Sequence, residues 1–389
     1  MNSVDSLLEA ASNLLTARVG ARVRLADAGS LQSDNVVVRA RVSTSARSLP
    51  PTVIVKHVTD EGFDQPGHAG PPSRFLNEWA TLQFLTDLDA EVAPRLIAAD
   101  REIGLTIIED LGALPNLENI LVGDDEGAAW DGLGTAGRLL GELHAIGRER
   151  EGDFVSLQSR LGTRSPMSDS TIDQRGRRDE CFAAFEAMGV DPGARLWNEV
   201  IELESLIHDD SPFRSLIHAD AGPHNVLISS GVSRLIDFEF AVFGNALCDV
   251  VGARLGFPQT MGVGQVPTVA RARLEDAYRE AVVPGIPNGE DEALFRRHLA
   301  AACGHWALNR WAHGWRAHLS SIPDGERPTE AAVTAMKSLW LVIDGFVAAS
   351  RDYGAFQLVA DALGRSRETA TKRWPELVPA PVYPALWNL

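Results

Sequence analysis

The sequence predicts an α+β chain built as two lobes, a small strand-rich N-terminal lobe and a larger, mainly helical C-terminal lobe. Three observations predict it. Val-rich, strand-like runs crowd the first third of the chain, and helical periodicity dominates the rest. A length of 389 residues also exceeds what one ordinary hydrophobic core serves.

The strand-rich part is justified element by element. "NVVVRARV" (35–42) and "TVIVKHV" (52–58) are rich in β-branched residues and flank the turn-like "STSARSLPP", so a hairpin is expected. "TDEGFDQPGHAGPPS" reads as a loop from its Gly and Pro content. In "RFLNEWATLQFLTDL" (74–88) the apolar residues Phe75, Trp79, Leu82 and Leu85 recur at helical spacing. "RLIAAD" and "LTIIED" follow as two more strands, and "LGALPN" punctuates the chain. The lobe boundary is therefore expected near 110–116, which gives an N-terminal lobe over 1–111 and a C-terminal lobe over 112–389.

Beyond it, "LGTAGRLLGELHAI" places Leu133, Ala136, Leu140 and Leu143 on one helical face, and helices are expected within 173–208, 268–282, 290–318 and 328–363. The exception is "SLIHADAGPHNVLISSGVSRLIDFEF" (215–240), an island of strand pairs inside the helical region.

Composition narrows the function. The chain carries 36 Lys and Arg against 53 Asp and Glu, a net charge of −17, which disfavours nucleic acid and anionic membrane surfaces as partners. Cys181, Cys248 and Cys303 are far apart and odd in number, so neither a disulfide framework nor a paired-cysteine metal site is expected. The opening "MNSVDSLLEAASNLL" has acidic residues where a secretory signal has basic ones. The apolar run "SLWLVIDGFVAA" is short and interrupted by Asp344, so no membrane span is expected there. These features read together as a cytoplasmic protein of open oligomeric state.

The chemistry concentrates in residues 215–240. The spacing is His218-x-Asp220-x4-Asn225, with Asp237 after a second apolar run. Phosphoryl transfer to a hydroxyl needs a carboxylate to take or orient the hydroxyl proton and oxygen ligands to hold Mg²⁺ on the phosphates. Asp220 suits the first task; Asn225 and Asp237 suit the second. A hairpin around "SGV" would put Asn225 before one strand and Asp237 after the other. The plainer reading is a turn in which Asp220 and Asn225 only cap backbone amides.

Here the chain resembles the aminoglycoside phosphotransferase and choline kinase family, through "HADAGPHNVLI…LIDFE…FGNALCDV". The resemblance spans roughly 20–320 and is strongest at 215–255, with "HADAGPHN" where the family commonly has H-G-D-L-H-x-G-N. It implies a protein-kinase-like two-lobed fold and an ATP- and Mg²⁺-dependent O-phosphotransferase, with GTP left open as donor. Asp220 would be the base, Asn225 and Asp237 the metal ligands, and His218 a brace for the loop. Asp249 would tie the catalytic loop down, or else simply cap a helix.

A kinase also needs a strand lysine for the nucleotide phosphates and a helix glutamate to position it. Lys56 of "VIVKHV" and Glu78 of the following helix stand in that order. A surface lysine and a solvated glutamate are the alternative. The resemblance further puts backbone groups of Glu109 and Leu111 at the adenine edge. It also puts "LADAGSLQSDNVVVRA", with Gly29, Ser30 and Ser33, where a loop covers the phosphates; an ordinary turn is the rival reading.

The acceptor is expected on the helical lobe, as a hydroxyl of a sugar, aminoglycoside, amino alcohol or macrolide. Trp306, Trp311 and Trp315 could stack on it, although Trp311 and Trp315 at i and i+4 read better as core. The acidic "GEDE" (289–292) could attract an amine but reads better as a solvated helix start. A non-catalytic, pseudokinase-like nucleotide-binding regulator is the rival function; the presence of Lys56, Asp220, Asn225 and Asp237 argues against it.

Overall fold

The computed structural model describes residues 4–31, 36–58, 71–165, 174–208, 211–260, 264–323 and 325–389. In chain order the helices are α1 (Val4–Val19), α2 (Pro71–Asp87), α3 (Leu117–Leu121), α4 (Glu126–Gly147), α5 (Glu151–Arg160), α6 (Gln174–Ala187), α7 (Ala194–His208), α8 (Leu247–Val250), α9 (Thr268–Val282), α10 (Glu292–Gly314), α11 (Glu330–Tyr353) and α12 (Gln357–Arg373). The strands are β1 (Val23–Leu31), β2 (Val36–Thr44), β3 (Thr52–His57), β4 (Leu96–Asp100), β5 (Leu105–Glu109), β6 (Arg214–Ile217), β7 (Val226–Leu227), β8 (Arg234–Leu235) and β9 (Val242–Asn245). Two compact units result: Met1–Leu114 with Arg150–Ser168 and Ser229–Ala241, and Pro115–Glu149 with Asp169–Ile228 and Val242–Leu389. The stretches 150–168 and 229–241, read from the sequence as part of the C-terminal lobe, thus group with the strand-rich unit.

The first unit is an antiparallel sheet in the order β1-β2-β3-β5-β4. Strand alternation decides its faces. Val53 and Val55 of β3, with Val38, Ala40, Leu105 and Ile107, bury one face against Leu7, Leu8, Ala11 and Leu15 of α1. Lys56 alternates with these residues and therefore stands on the opposite face, opposite Val37 of β2 and Thr106 of β5. Periodicity did not single out α1 or β1. The sequence "LADAGSL" lacks β-branched residues, yet it pairs along β2 with an irregularity between Asp27 and Gly29. There Gly29 has φ +144° and its N–H donates to the Asp27 carboxylate at 2.7 Å.

The second unit is helical around a short β6–β9 ladder pairing Ile217 with Val242 and Arg214 with Asn245. Each of the two long helical stretches holds two helices: α6 and α7 are separated near Gly189, and α11 ends at Gly354, both glycines being left-handed. Trp311 and Trp340 are fully buried, so the i, i+4 tryptophan stripe has its core member. The acidic run serves the start of α10: Asp291 accepts from the Leu294 N–H at 3.0 Å, and Glu292 pairs with Arg279 and Arg296.

One expectation needs correcting. The apolar run 338–349 is not short but part of the 24-residue α11, the one helix among the described residues apolar and long enough to cross a membrane by length and composition. Asp344 does not interrupt it, because its carboxylate is held by Arg367 of α12 at 3.0 Å. Met336, Trp340, Val342, Ile343 and Phe346 are fully buried in the helical core.

Glycine sets the crossing of α4 and α9. A Cβ on Gly137 would lie 2.1 Å from the Leu274 carbonyl oxygen, and one on Gly141 2.6 Å from that of Tyr278. Backbone is the obstacle, so a methyl group there forces the helices apart. Gly137→Ala is expected to destabilise the protein by about 1–3 kcal/mol. Gly364→Ala in α12, where nothing lies within 4 Å, is expected to gain about 0.5–1 kcal/mol from helix propensity. Urea midpoints at unchanged m-value check both; a Gly137→Ala protein as stable as the parent would contradict the close crossing.

Candidate active site

In the strand-rich unit the site is organised around Lys56. Its Nζ lies 2.7 Å from Glu78 Oε2 and 2.9 Å from Asp237 Oδ1. Glu78 projects from α2, whose Phe75, Leu76, Leu82 and Leu85 are buried. The Lys56 and Glu78 side chains are 12% and 6% exposed, while that of Asp237 is 38% exposed. One cation is thus shared by a buried carboxylate and an open one. Burial pulls the Lys56 pKa down, but the charges of Glu78 and Asp237 outweigh it and raise the pKa above its ordinary value.

Asp237 itself is left-handed, at φ 67° and ψ 57°, a conformation that costs a non-glycine residue energy and needs support. Side chains of the same unit supply it. Asn77 donates to the carbonyls of Glu239 (3.0 Å) and Ala241 (2.9 Å), and Gln158 of α5 donates to Asn77 Oδ1 at 2.7 Å. Arg74 pairs with Glu239 at 3.4 Å and lies 4.7 Å from the Phe240 ring centroid. The turn of 229–233 is closed by Ser229 and Ser233, whose hydroxyls accept from the N–H groups of Val232 and Ser229. Burial and the neighbouring Asp237 charge push Glu239 up to about 7, against the opposing pull of Lys56 and Arg74.

The remaining residues of this unit are placed as follows. Glu109 ends β5; its N–H donates to the Arg95 carbonyl at 2.9 Å and its carboxylate accepts from the Arg95 N–H at 3.2 Å. The N–H of Leu111 makes no hydrogen bond among the described residues. Between them Asp110 is held by Arg39 at 2.9 Å. Gly29 and Ser30 are extended, opposite Arg39 and Val38, rather than in a loop, because β1 continues to Leu31. Ser33 lies outside the described residues.

In the helical unit, β6 delivers His218, Ala219 and Asp220. Ala219 has φ 64°, and the loop is held in that conformation by Asp249, whose carboxylate accepts from the N–H of His218 at 2.7 Å and of Ala219 at 3.0 Å. His144 Nε2 lies 3.1 Å from the same carboxylate, and the Tyr278 hydroxyl lies 3.1 Å from His144 Nδ1. His218, His144, Tyr278 and Asp249 are all buried, so this brace is a buried polar network. Asn225 donates through Nδ2 to the Asp220 carbonyl at 3.0 Å and approaches its carboxylate at 3.4 Å. His224 Nε2 lies 3.9 Å from Asp220 Oδ2.

Comparison with known proteins follows from this geometry. The model of the phosphotransferase enzyme family (APH) matches residues 39–282, more than half of the chain. The chain belongs to this family. As a member it is a small-molecule kinase, with the α+β, protein-kinase-like fold of that family. No similar sequence was found among curated proteins. Among solved structures, a choline kinase from Streptococcus pneumoniae is 15% identical, with 87% of this chain and 98% of that chain covered at a TM-score of 0.42. A spectinomycin phosphotransferase is 12% identical (92% and 98% covered, TM-score 0.43). A macrolide 2'-phosphotransferase from Brachybacterium faecium is 14% identical (87% and 98% covered, TM-score 0.44). These TM-scores are low, and the family assignment rests on the 39–282 match.

Sequence reasoning missed Asn77, Gln158, His144 and Tyr278, and likewise Arg74 and Glu239. Their partners lie far along the chain, so no local pattern marked them.

The raised Glu239 yields a pH prediction. Its folded-state value near 7 exceeds the 4.5 of an ordinary glutamate, so the stability it contributes is complete below about 4.5 and is lost as pH rises towards 7. Wild type is expected to lose more stability than Glu239→Gln between pH 4.5 and 7, read from urea midpoints. Parallel pH profiles for the two proteins would contradict it.

Proposed function

We propose that this phosphotransferase uses ATP with Mg²⁺ to phosphorylate a hydroxyl of a small molecule such as a sugar, aminoglycoside, amino alcohol or macrolide. The observation that carries the reading is the Lys56 ammonium held between Glu78 and Asp237 in a chain of this family. A pseudokinase-like regulator, the rival, has no need of Asp220, Asn225 and Asp237 together with that lysine.

Each residue then has a task. Asp220 takes the proton of the acceptor hydroxyl on a carboxylate oxygen as that hydroxyl attacks phosphorus. Asn225 and the buried Asp249 brace hold the loop that presents Asp220. Lys56 binds phosphate oxygens, and Glu78 keeps it aimed. The Asn225 amide nitrogen is spent on Asp220, which leaves its amide oxygen, and the Asp237 carboxylate is open; each is a hard oxygen donor of the kind that would hold Mg²⁺ alongside phosphates and water. When bound, the nucleotide supplies the phosphoryl group and the metal offsets its charge. The unpaired N–H of Leu111 suits an adenine edge, whereas the N–H of Glu109 is already given to the Arg95 carbonyl.

Two measurements test this. Asp220→Asn is expected to keep the fold and ATP binding while kcat falls about a hundred- to ten-thousandfold, the scale of lost general-base help; near-normal turnover would remove Asp220 from the mechanism. Lys56→Ala and Glu78→Ala should each lower kcat/KM for ATP, and the double variant should lose less than the sum, since each single change breaks the same pair. Strictly additive losses would mean that the two residues act apart.

A further inference from the structure

Arg310 is the residue of the helical unit that the proposed reaction leaves without a task. It stands on α10, half-buried, with one guanidinium nitrogen donating to the Pro258 carbonyl at 2.8 Å and its charge 5.6 Å from the centroid of the Trp306 ring. Each support connects to the loop of Asp220 through a neighbouring residue. Trp306 donates its indole N–H to the Cys248 carbonyl at 3.0 Å, next to the Asp249 that fastens His218 and Ala219. Pro258 leads into Gln259, whose Cβ lies 3.3 Å from where a Cβ on Gly222 would stand, and the Gly222 N–H donates to the Asp220 carbonyl at 2.8 Å.

Among the described residues no carboxylate forms an ion pair with Arg310. A guanidinium offers five donors, and burying it without an anion is costly. Asp220 is near enough for its charge to act on Arg310, although burial prevails and lowers the Arg310 pKa. The hydrogen bond of Arg310 goes to Pro258 and not to Asp220, which leaves the rest of the fork free.

We infer that the acceptor carries an anionic group, a carboxylate or phosphate, bound by Arg310 on its Trp306 and Pro258 support, beside the hydroxyl that Asp220 deprotonates. The inference rests on the proposed phosphotransfer and narrows its acceptor to an acidic sugar or a comparable acidic alcohol, away from the amine-bearing candidates. It runs against a purely cationic acceptor, which a fixed guanidinium beside the base would repel.

The test uses two sets of alcohols that share a skeleton and differ in one charge: glycerate, glycerol and 3-aminopropane-1,2-diol, and glucuronate, glucose and glucosamine. Rates of ADP release with MgATP and ligand-observed NMR binding without nucleotide are measured on wild type, Arg310→Gln and Arg310→Lys. Within each set the carboxylate member should bind or react best. Arg310→Gln should raise its KM or Kd roughly 10- to 100-fold, the scale of one charge-assisted contact, with kcat nearly kept. Arg310→Lys should restore part of the loss, which also shows that the fold is intact. Preference for the neutral or ammonium members would overturn the inference. So would an equal fall in kcat for all members, which would mean that Arg310 serves Asp220 or the transferred group. If no alcohol is phosphorylated, the phosphotransfer reading fails, while carboxylate binding unchanged by Arg310→Gln would separately overturn the anionic site.

Discussion

The strand-rich unit depends on one constraint: a single ammonium, Lys56, has to satisfy two carboxylates, Glu78 and Asp237, in surroundings that exclude most water. Removing one partner from a buried charge group costs roughly 3–5 kcal/mol because it leaves the other uncompensated. The pair therefore fixes the spacing of β3 and α2, and it holds the end of the 229–241 segment that carries Asp237. Asn77 and Gln158 then secure the backbone that follows. Glu78 is closed and Asp237 is open, so the lysine is anchored on one side and its other partner is left accessible to a ligand.

The helical unit solves a parallel problem with the opposite sign. Asp249 is a buried anion satisfied by two backbone N–H groups and His144, and that set keeps Ala219 in a left-handed conformation it would otherwise leave. Asp220 inherits its position from this brace and from Asn225. In both units one carboxylate, Asp237 or Asp220, is half-exposed, and the amides and the Asp249 carboxylate that secure the backbone around it are buried.

Much of this was legible in the sequence where chemistry and local pattern agree. Lys56 sits in an alternating Val-rich strand and Glu78 on a helix with an apolar stripe, so periodicity placed the two elements, while pairing the residues took the family resemblance. The His218–Asp220–Asn225 spacing and Asp237 stood out because ionic residues are rare between apolar runs. Less legible were features decided by distant contacts. β1 has Ala, Gly and Ser where a strand usually carries β-branched residues, and pairing with β2 makes it extended. Asp344 looked like a break in an apolar run until Arg367, from the next helix, is seen to neutralise it. His144 and Tyr278 serve Asp249 from residues over a hundred positions away in the case of His144, a distance no local pattern spans. The grouping of 150–168 and 229–241 with the strand-rich unit is of the same kind.

The central claim is that these two carboxylate centres serve one reaction, transfer of a phosphoryl group from a nucleotide to an alcohol oxygen. The most direct measurement follows the phosphorus itself. The protein is incubated with MgATP and a pool of alcohols of different charge, and phosphorus NMR of the mixture distinguishes phosphate ester from free phosphate. The account predicts ester and ADP appearing in equal amounts, with little free phosphate. ATP consumed only to free phosphate, or ATP left intact with every alcohol in the pool, would contradict it.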